Sequence, residues 1–236
     1  NDESKLYVSV ESGDPPGVVA VDLKTGKTTK IETGAGGNYL WVQPKTDKLY
    51  LPTRDNRVVV IDTKTDRVLR SIPVQGGPNG VDFSPNGEVW VNGDRDGSVT
   101  VIDSKTDQVV TVIQPRAKGA GRVAASPDGR FVAATHGPEV SVIDVATKHT
   151  RQVVNTTGHD DYPAWAPDGQ SLAFVSDRGG AQNVYLYDPS DEKILQLTDI
   201  IGGVFSMSWS RDNDRVVFSA FNEGGWDIFL AKEPLS

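Results

Sequence analysis

The segment DTKTDRVLRSI at residues 62–72 returns almost unchanged as DSKTDQVVTVI at residues 103–113. The two copies start 41 positions apart, and each follows a run of Val and Ile that ends in the first Asp. Runs of this kind end at Asp22, Asp62, Asp103, Asp144 and Asp188, and the next step falls on Lys232. The regular spacing of 40 to 44 residues indicates repeats of one structural unit.

A second marker keeps the same period. Prolines that open turn sequences such as SPNG and SPDG stand at Pro44, Pro85, Pro127 and Pro167. Between the markers lie short runs rich in β-branched and aromatic residues, separated by Gly, Pro, Asn and Asp, which is typical of strands joined by tight turns. In one unit the predicted strands are 81–84, 88–92, 98–103 and 108–113. No window keeps an apolar period of 3.6 residues, so essentially no helix is expected.

Four antiparallel strands in each unit of about 40 to 45 residues predict an all-β fold, a β-propeller. We expect a single β-propeller domain over residues 1–236. The first unit offers only strands two to four and the last only strands one to three, which predicts six blades with three-stranded first and last blades. The alternative is a fragment of a seven- or eight-bladed propeller.

Four segments carry resemblances to known families, two segments to each family. RVVVIDTKTDRVLRSIPVQGGPNGVDFSPNG (57–87) and SVTVIDSKTDQVVTVI (98–113) resemble YVTN-type propeller repeats. YPAWAPDGQSLAFVSDRGGAQNVYLYD (162–188) and MSWSRDNDRVVFSA (207–220) are similar to the Pro-Asp repeats of TolB-type propellers. The resemblances imply a periplasmic, extracellular or cell-surface location. They do not imply one function, because such propellers serve many partners.

Composition excludes several classes of partner. The net charge is −8 and the 24 Lys and Arg residues are scattered, so no nucleic-acid partner is expected. The absence of Cys excludes disulfides and thiolate metal sites. No apolar run reaches the roughly 20 residues of a membrane helix, so no membrane span is expected.

The repeats also sort the connecting segments between two ends of each blade. The DTKTD and PDG segments repeat from unit to unit at one end, and we interpret them as structural turns in which the first Asp accepts backbone N–H groups. The other end receives loops that differ between units, where specific recognition usually lies. The charged residues of these loops are Arg54, Asp55, Asp94, Arg95, Arg116, Lys118, Arg122, Asp177, Arg178 and Glu223. The arginines Arg54, Arg95, Arg122 and Arg178 are the candidate ligand-binding residues of this set.

A second group of candidates lies in the loop at His136 and in the link that follows the same repeat. His136, His159, Asp160 and Asp161 are all predicted at the variable end. Imidazole and carboxylate groups can bind Zn²⁺ or another divalent metal, so His136, His159 and Asp161 form a candidate metal site, the one possible cofactor. The competing interpretation is that GHDDYPAW is a structural segment leading into a strand. The NGDRDGS segment (92–98) fails the calcium-loop pattern and is predicted as a tight loop with positive φ at Gly97.

Three functional hypotheses follow. No nucleophile elbow, P-loop, dinucleotide fingerprint or His-Glu-x-x-His motif is present, which favours a non-catalytic scaffold that binds a protein, a peptide or a small polar ligand. A metal-assisted lyase or hydrolase is the alternative, since propeller enzymes assemble sites from separate blades. A third hypothesis is an engineered or recombined propeller without a natural ligand, suggested by the change from YVTN-like to TolB-like repeats.

Overall fold

A computed structural model describes residues 4–12, 15–37, 39–114, 119, 121–212, 214–232 and 234. These residues contain strands throughout and no helix, as the sequence pattern predicted. The strands are β1 (Lys5–Val10), β2 (Gly17–Asp22), β3 (Thr28–Glu32), β4 (Trp41–Val42), β5 (Lys48–Thr53), β6 (Arg57–Asp62), β7 (Arg67–Pro73), β8 (Pro78–Phe83), β9 (Glu88–Gly93), β10 (Val99–Asp103), β11 (Gln108–Ile113), β12 (Val123–Ala125), β13 (Phe131–His136), β14 (Glu139–Asp144), β15 (Thr150–Asn155), β16 (Asp160–Trp165), β17 (Leu172–Ser176), β18 (Asn183–Asp188), β19 (Lys193–Gln196), β20 (Val204–Trp209), β21 (Arg215–Asn222) and β22 (Gly225–Lys232).

The strands form six antiparallel sheets in chain order. Sheet 1 contains β1–β3, sheets 2 to 5 contain four strands each, and sheet 6 contains β20–β22. This arrangement confirms the predicted all-β propeller fold and the three-stranded first and last sheets. The alternative of a fragment of a larger propeller stays a prediction.

The chain divides into two compact units, named unit 1 and unit 2, each of which contains several of the sequence repeats. Unit 1 consists of residues 1–83 and 87–114 and holds sheets 1 to 3. Unit 2 consists of residues 84–86 and 115–236 and holds sheets 4 to 6. The expectation of a single domain over residues 1–236 stays a prediction.

Each unit buries apolar side chains between neighbouring sheets. In unit 1, alternate residues of β6 enter two different clusters: Val59 and Ile61 pack towards sheet 1, and Val58 and Val60 pack towards sheet 3. In unit 2, β18 divides in the same way between the clusters shared with sheets 4 and 6. Because successive strand residues point to opposite faces, a strand buried on both faces is apolar throughout, as the Val- and Ile-rich runs of the sequence are.

The repeated aspartates are turn residues, as predicted. At the turn between β6 and β7, Asp62 Oδ1 accepts the N–H groups of Lys64 at 2.7 Å and Thr65 at 3.1 Å. Asp103 Oδ1 accepts those of Lys105 at 2.7 Å and Thr106 at 3.0 Å. The Thr106 N–H is also the largest cause of the lowered pKa of Asp103. The carboxylate of the first Asp thus forms its hydrogen bonds within its own turn, so the role of this residue is structural.

The second Asp of the same segment has a role that the repeat pattern did not predict. Asp66 has φ of 55° and accepts bonds from two residues of sheet 1, Lys5 Nζ at 2.8 Å and Tyr7 Oη at 2.7 Å. Asp107 similarly accepts a bond from Lys48 Nζ of sheet 2 at 2.7 Å. The segment therefore caps its own turn with one carboxylate and links neighbouring sheets with the other.

The described residues contain no helix long and apolar enough to cross a membrane.

Candidate functional site

Every sheet has two ends, set by antiparallel pairing. The turn end carries the links between strands one and two and between strands three and four. The loop end carries the link between strands two and three and the entry to strand one. Six of the eight predicted site residues lie in unit 2, at the loop ends of sheets 4 and 5: Arg122, His136, His159, Asp160, Asp161 and Arg178.

The other two arginines belong to unit 1. Arg54 follows β5, is 65% exposed at its side chain and forms an ion pair with Glu11. Arg95 is exposed, and its backbone N–H donates to the Gly76 carbonyl at 2.8 Å. Gly97 in the same loop has φ of 71°, which confirms the predicted tight loop. Of the loop-end charges expected from the sequence, Arg116 and Lys118 lie outside the described residues.

Arg178 and Asp160 form a buried ion pair at the loop end of sheet 5. Arg178 Nη2 lies 3.2 Å from Asp160 Oδ1, with side-chain exposures of 18% and 0%. Arg178 Nε also donates to the Ser176 hydroxyl at 3.0 Å. The guanidinium stacks over the Tyr185 ring at 4.6 Å and over the Phe174 ring at 5.0 Å. Arg178 is thus fixed from several sides, and it positions the loop that follows β17.

Asp160 is the fully buried partner in this arrangement. Burial raises the pKa of its carboxyl, and hydrogen bonding to Ser176 and the charge of Arg178 offset part of that rise. Its Oδ2 atom is buried and has no hydrogen-bond partner among the described residues. A buried carboxylate oxygen without a hydrogen-bond partner lowers the stability of the fold. The negative charge of Asp160 therefore depends on the neighbouring positive charge of Arg178.

Arg122 and Asp161 form a second pair that is more open to solvent. Arg122 Nε lies 3.4 Å from Asp161 Oδ1, with side-chain exposures of 40% and 20%. The guanidinium stacks over the Tyr162 ring at 4.5 Å. Tyr162 has φ of 53°, an uncommon conformation for a bulky residue, and it lies at a break in the pairing of β16 with β17. Backbone strain of this kind often marks a functional segment.

His136 is buried rather than available to a ligand. It is 1% exposed, and neither ring nitrogen has a hydrogen-bond partner among the described residues. It stands opposite Glu139 in the β13–β14 pairing, and the Glu139 carboxylate accepts a bond from the Ser141 hydroxyl. Burial lowers the pKa of His136 to about 4, against the opposing charge of Glu139. The ring is therefore neutral at pH 7.

The three predicted metal ligands do not form a metal-binding group. Among the residues that the structure describes, no three His, Asp or Glu side chains are placed to hold a metal ion together. His136 is enclosed beside Glu139, while His159 is exposed and Asp161 pairs with Arg122. The physical reason is that residues at the same loop end can point in different directions. The His136 side chain points into the sheet, that of His159 points into solvent, and that of Asp161 points towards Arg122.

The loop end of sheet 5 also borders a cavity of about 580 Å³. One wall is the loop after β17 with Gly179 and Gly180, and the other is the link from β19 to β20. The lining residues are Gly179, Gly180, Ala181, Asn183, Gln196, Leu197, Thr198, Asp199, Ile200 and Ile201. The lining combines amide and hydroxyl groups with one carboxylate and aliphatic side chains, which suits a ligand with both polar and apolar parts.

Asn183 holds the two walls of the cavity together. Its Oδ1 accepts the Thr198 hydroxyl and the Ile200 N–H, both at 2.8 Å. Its Nδ2 donates to the Ala181 and Ile200 carbonyls at 3.4 Å. Gln196 continues the network, with Nε2 donating to the Thr198 carbonyl at 2.7 Å. The cavity is therefore built by side chains that the sequence reasoning did not single out.

These residues gave little signal in the sequence. Asn183 opens a strand in SDRGGAQNVYLYD, and a polar residue before an apolar run is common in turns. Thr198, Asp199 and Ile201 lie in a link without a repeated pattern. The cavity could have been predicted only from the length and irregularity of two successive segments, the β17–β18 loop and the β19–β20 link, which lie at the same end of sheet 5.

Phe221 and Trp226 face each other across the β21–β22 hairpin, with their ring centroids 5.7 Å apart. The turn itself contains only Glu223 and Gly224, which have φ of 46° and 89°. A two-residue turn with both φ values positive matches the twist of its strands.

Comparison with known proteins agrees with this architecture. The repeated antiparallel sheets define a β-propeller. A model of the TolB β-propeller domain (PD40) matches residues 99–233, more than half of the chain, and the chain belongs to this family. The resemblance of the first half to YVTN-type repeats stays a prediction.

Individual relatives match shorter stretches. The chain is 41% identical over 56 residues to "Uncharacterized peptidase YuxL" of Bacillus subtilis, which covers 23% of this chain and 8% of that protein. It is 27% identical over 107 residues to "Dipeptidyl-peptidase 5" of Porphyromonas gingivalis, covering 45% of this chain and 15% of that protein. The matched regions are thus small parts of these relatives.

A solved structure shows the fold over most of the chain. "Kuenenia stuttgartiensis Hydrazine Synthase" superposes with a TM-score of 0.74 at 21% identity, covering 93% of this chain and 74% of that chain. At this level of identity the likeness shows the fold alone.

Proposed function

We propose that the protein is a non-catalytic binding scaffold that recognises a protein or peptide through the loop end of sheet 5. The observation that carries the proposal is the cavity of about 580 Å³ between the β17–β18 loop and the β19–β20 link. Its two walls are joined by the hydrogen bonds of Asn183, and Arg178 fixes the start of one wall. A rigid sheet that presents a shaped loop cavity is the common arrangement of binding sites.

The lining favours a polypeptide ligand. Gly179 and Gly180 allow a ligand backbone to approach closely, since glycine has no side chain in the way. Gln196 and Asp199 offer hydrogen-bonding groups for a peptide main chain or a cationic group. Ile201 is 97% exposed at the rim, where it can cover an apolar side chain of a partner. This mixture of polar and apolar contacts is typical of recognition loops.

A peptide display experiment tests the proposal. Peptides are selected on the purified chain and then measured against Asn183→Ala, which removes the bonds that join the two walls, and against Lys64→Ala, a turn-end control in unit 1. We expect the selected peptides to bind at least about tenfold more weakly to N183A and equally to K64A. Selected peptides that bind N183A and the parent chain equally would show that the cavity is not the binding site.

A second candidate follows from the two curated relatives, both named as peptidases. In this proposal the chain is a propeller module that works beside the catalytic part of a peptidase. It is supported by the identities of 41% and 27%, and by the small share of each relative that matches. The chain alone should not hydrolyse chromogenic dipeptide substrates. Hydrolysis that copurifies with the chain, and whose rate is proportional to the amount of the chain, would contradict this second proposal.

We also propose a periplasmic or cell-surface location. TolB-type repeats support it, and a chain without Cys is compatible with an oxidising compartment. Fractionation of the producing cell tests this, with the protein expected in the envelope fraction. Recovery only with cytoplasmic markers would contradict the proposal.

A further inference from the structure

The polar side chains that line the cavity of sheet 5 differ in how far the protein itself uses them. They are Asn183, Gln196, Thr198 and Asp199. Asn183 forms four hydrogen bonds within the walls, two at Oδ1 and two at Nδ2. The Thr198 hydroxyl donates to Asn183 at 2.8 Å and accepts the Val184 N–H at 2.9 Å. Both of these side chains therefore serve to build the cavity.

Gln196 is used in the same way. Its Nε2 donates to the Thr198 carbonyl at 2.7 Å, and its Oε1 accepts the Tyr185 hydroxyl at 3.3 Å. Tyr185 is 4% exposed and lies close to the opposite wall, since a Cβ atom added to Gly179 would approach the Tyr185 oxygen to 3.1 Å. The Gln196 amide is thus held at both of its polar atoms by the protein.

Asp199 is the exception among the four. Its side chain is exposed, and no hydrogen bond or ion pair joins its carboxylate to another described residue. The described lining of the cavity contains no Lys, Arg or His that could neutralise it. Arg178, which precedes the glycine wall, is already paired with Asp160 and bonded to Ser176. An unpaired carboxylate in a partly enclosed cavity favours a cationic ligand group, because the walls exclude part of the screening water.

Aliphatic side chains accompany this carboxylate. Leu197 and Ile200 are half-buried in the wall, and Ile201 is 97% exposed at the rim, two residues after Asp199. Lys and Arg are the side chains that combine an aliphatic stem with a cationic head. A single Lys or Arg of a ligand can therefore cover Ile201 with its stem and pair with Asp199 through its head.

We propose that the cavity selects peptides that carry Lys or Arg, with the cationic head opposite Asp199 and the stem against Ile201. The inference rests on the proposed function, because it names the kind of peptide that the cavity binds. The net charge of −8 attracts such peptides at long range. Arg should bind more tightly than Lys, since the planar guanidinium can bond both carboxylate oxygens at once.

Selection from a random library of acetylated heptapeptides tests the proposal. Acetylation removes the α-amino group, so every cationic group of a selected peptide is a side chain. Peptides that bind the parent chain are then measured against N183A, which separates binding at the cavity from binding elsewhere. We expect Lys or Arg in most peptides that N183A weakens, and a lower frequency of these residues in the other selected peptides.

Two isosteric variants separate the Asp199 carboxylate from the net charge. Asp199→Asn should weaken the cavity-binding peptides at least about tenfold. Asp191→Asn removes one carboxylate at the turn end of the same sheet and should change binding by less than about twofold. Ile201→Ala should weaken binding several-fold, because it removes part of the apolar contact. D199N and I201A should unfold at the same denaturant concentration as the parent chain, since both side chains are exposed.

Charge reversal distinguishes specificity from a structural role of Asp199. Asp199→Lys should reject the selected Lys and Arg peptides and should bind copies with Glu in place of that residue more tightly than the parent chain does. Added salt should weaken the selected peptides on the parent chain more than on D199N, because only the parent chain supplies the opposite charge.

Two results would overturn the inference and leave the proposed function in place. One is a set of peptides that N183A weakens but that lacks Lys and Arg, and the other is equal binding of such peptides to D199N and the parent chain. Equal losses in D199N and D191N would also overturn it, because they would assign the effect to net charge. A library without any peptide that N183A weakens would contradict both the inference and the proposed function.

Discussion

The turn ends and the loop ends of the sheets use polar residues in opposite ways. At the turn ends the same backbone bond recurs, from the fifth residue of the turn to the Asp carbonyl at 2.8 Å for Asp62, Asp103 and Asp144. At the loop ends lie four of the five described residues with buried polar atoms that have no hydrogen-bond partner: Ser98, Arg122, His136 and Asp160, with Tyr50 as the exception. The Arg122 atom is the Nε that forms an ion pair with Asp161 at 3.4 Å without making a hydrogen bond. Unsatisfied polar groups cost stability, so their concentration at one end is consistent with a functional surface there.

The largest effect is expected from Arg178→Ala at the loop end. The substitution leaves Asp160 buried without its charge partner, so the free energy of unfolding should fall by about 3 to 5 kcal/mol. Chemical denaturation measures this loss. The double variant R178A/D160N should recover a substantial part of it, since it removes the charge. If R178A and R178A/D160N were equally unstable, the ion pair would not be the cause.

The next effect is a pH dependence caused by His136. Its folded-state pKa of about 4 lies below the ordinary value of 6.5, so the unfolded chain binds a proton first as the pH falls. Stability should therefore decrease from about pH 6.5 to pH 4, by about 3 kcal/mol in total. The measurement is the difference in unfolding free energy between the parent chain and His136→Asn across this range.

Other groups also titrate below pH 6, and the difference between the two proteins removes their contribution. His159→Asn is the matched control, because His159 is exposed. Its pH profile should follow that of the parent chain. A profile for H136N that is as steep as that of the parent chain would contradict the account of His136.

A smaller effect is expected at the turn end from Asp66→Ala. This substitution removes the acceptor of Lys5 and Tyr7 and places Ala at φ of 55°, so the unfolding free energy should fall by about 2 kcal/mol. Asp66→Gly isolates the loss of the bonds, because Gly accepts positive φ without strain. Peptide binding at the cavity should be unchanged in both variants. A loss of peptide binding would contradict the claim that the turn ends are structural and the loop ends bind the ligand.

The smallest expected effect is metal uptake. The described residues place no three ligands together, so elemental analysis after preparation with Zn²⁺ should find less than about a tenth of an equivalent for each chain. Histidine-free buffers and a metal-binding control protein make the result quantitative. A full equivalent of metal that H136N or H159N abolishes would restore the metal-centre hypothesis.

The sequence predicted the parts of this molecule that depend on local chemistry. The third-strand runs, the Asp-capped turns and the strand counts of the first and last sheets all followed from the repeat period. The bond from Lys5 to Asp66 did not, because it joins residues 61 positions apart through the stacking of two sheets. A repeat pattern shows which unit a residue belongs to, but not which neighbouring sheet its side chain meets.

The candidate site was predicted only in outline. Arg178 and Asp160 were correctly placed at one loop end, but their mutual pairing depends on burial that the sequence does not show. His136 was assigned a ligand role, and the structure places it under the sheet surface instead. The cavity walls were missed since neither Asn183 nor Thr198 belongs to a recurrent motif.

The most direct test of the account is hydrogen–deuterium exchange with a peptide selected on the parent chain. We predict slower exchange in residues 179–183 and 196–201, which contain the cavity walls, and no change in the turns at 126–131 and 188–193. Protection that is confined to those turns, with the cavity walls unchanged, would contradict the claim that the loop end of sheet 5 is the binding surface.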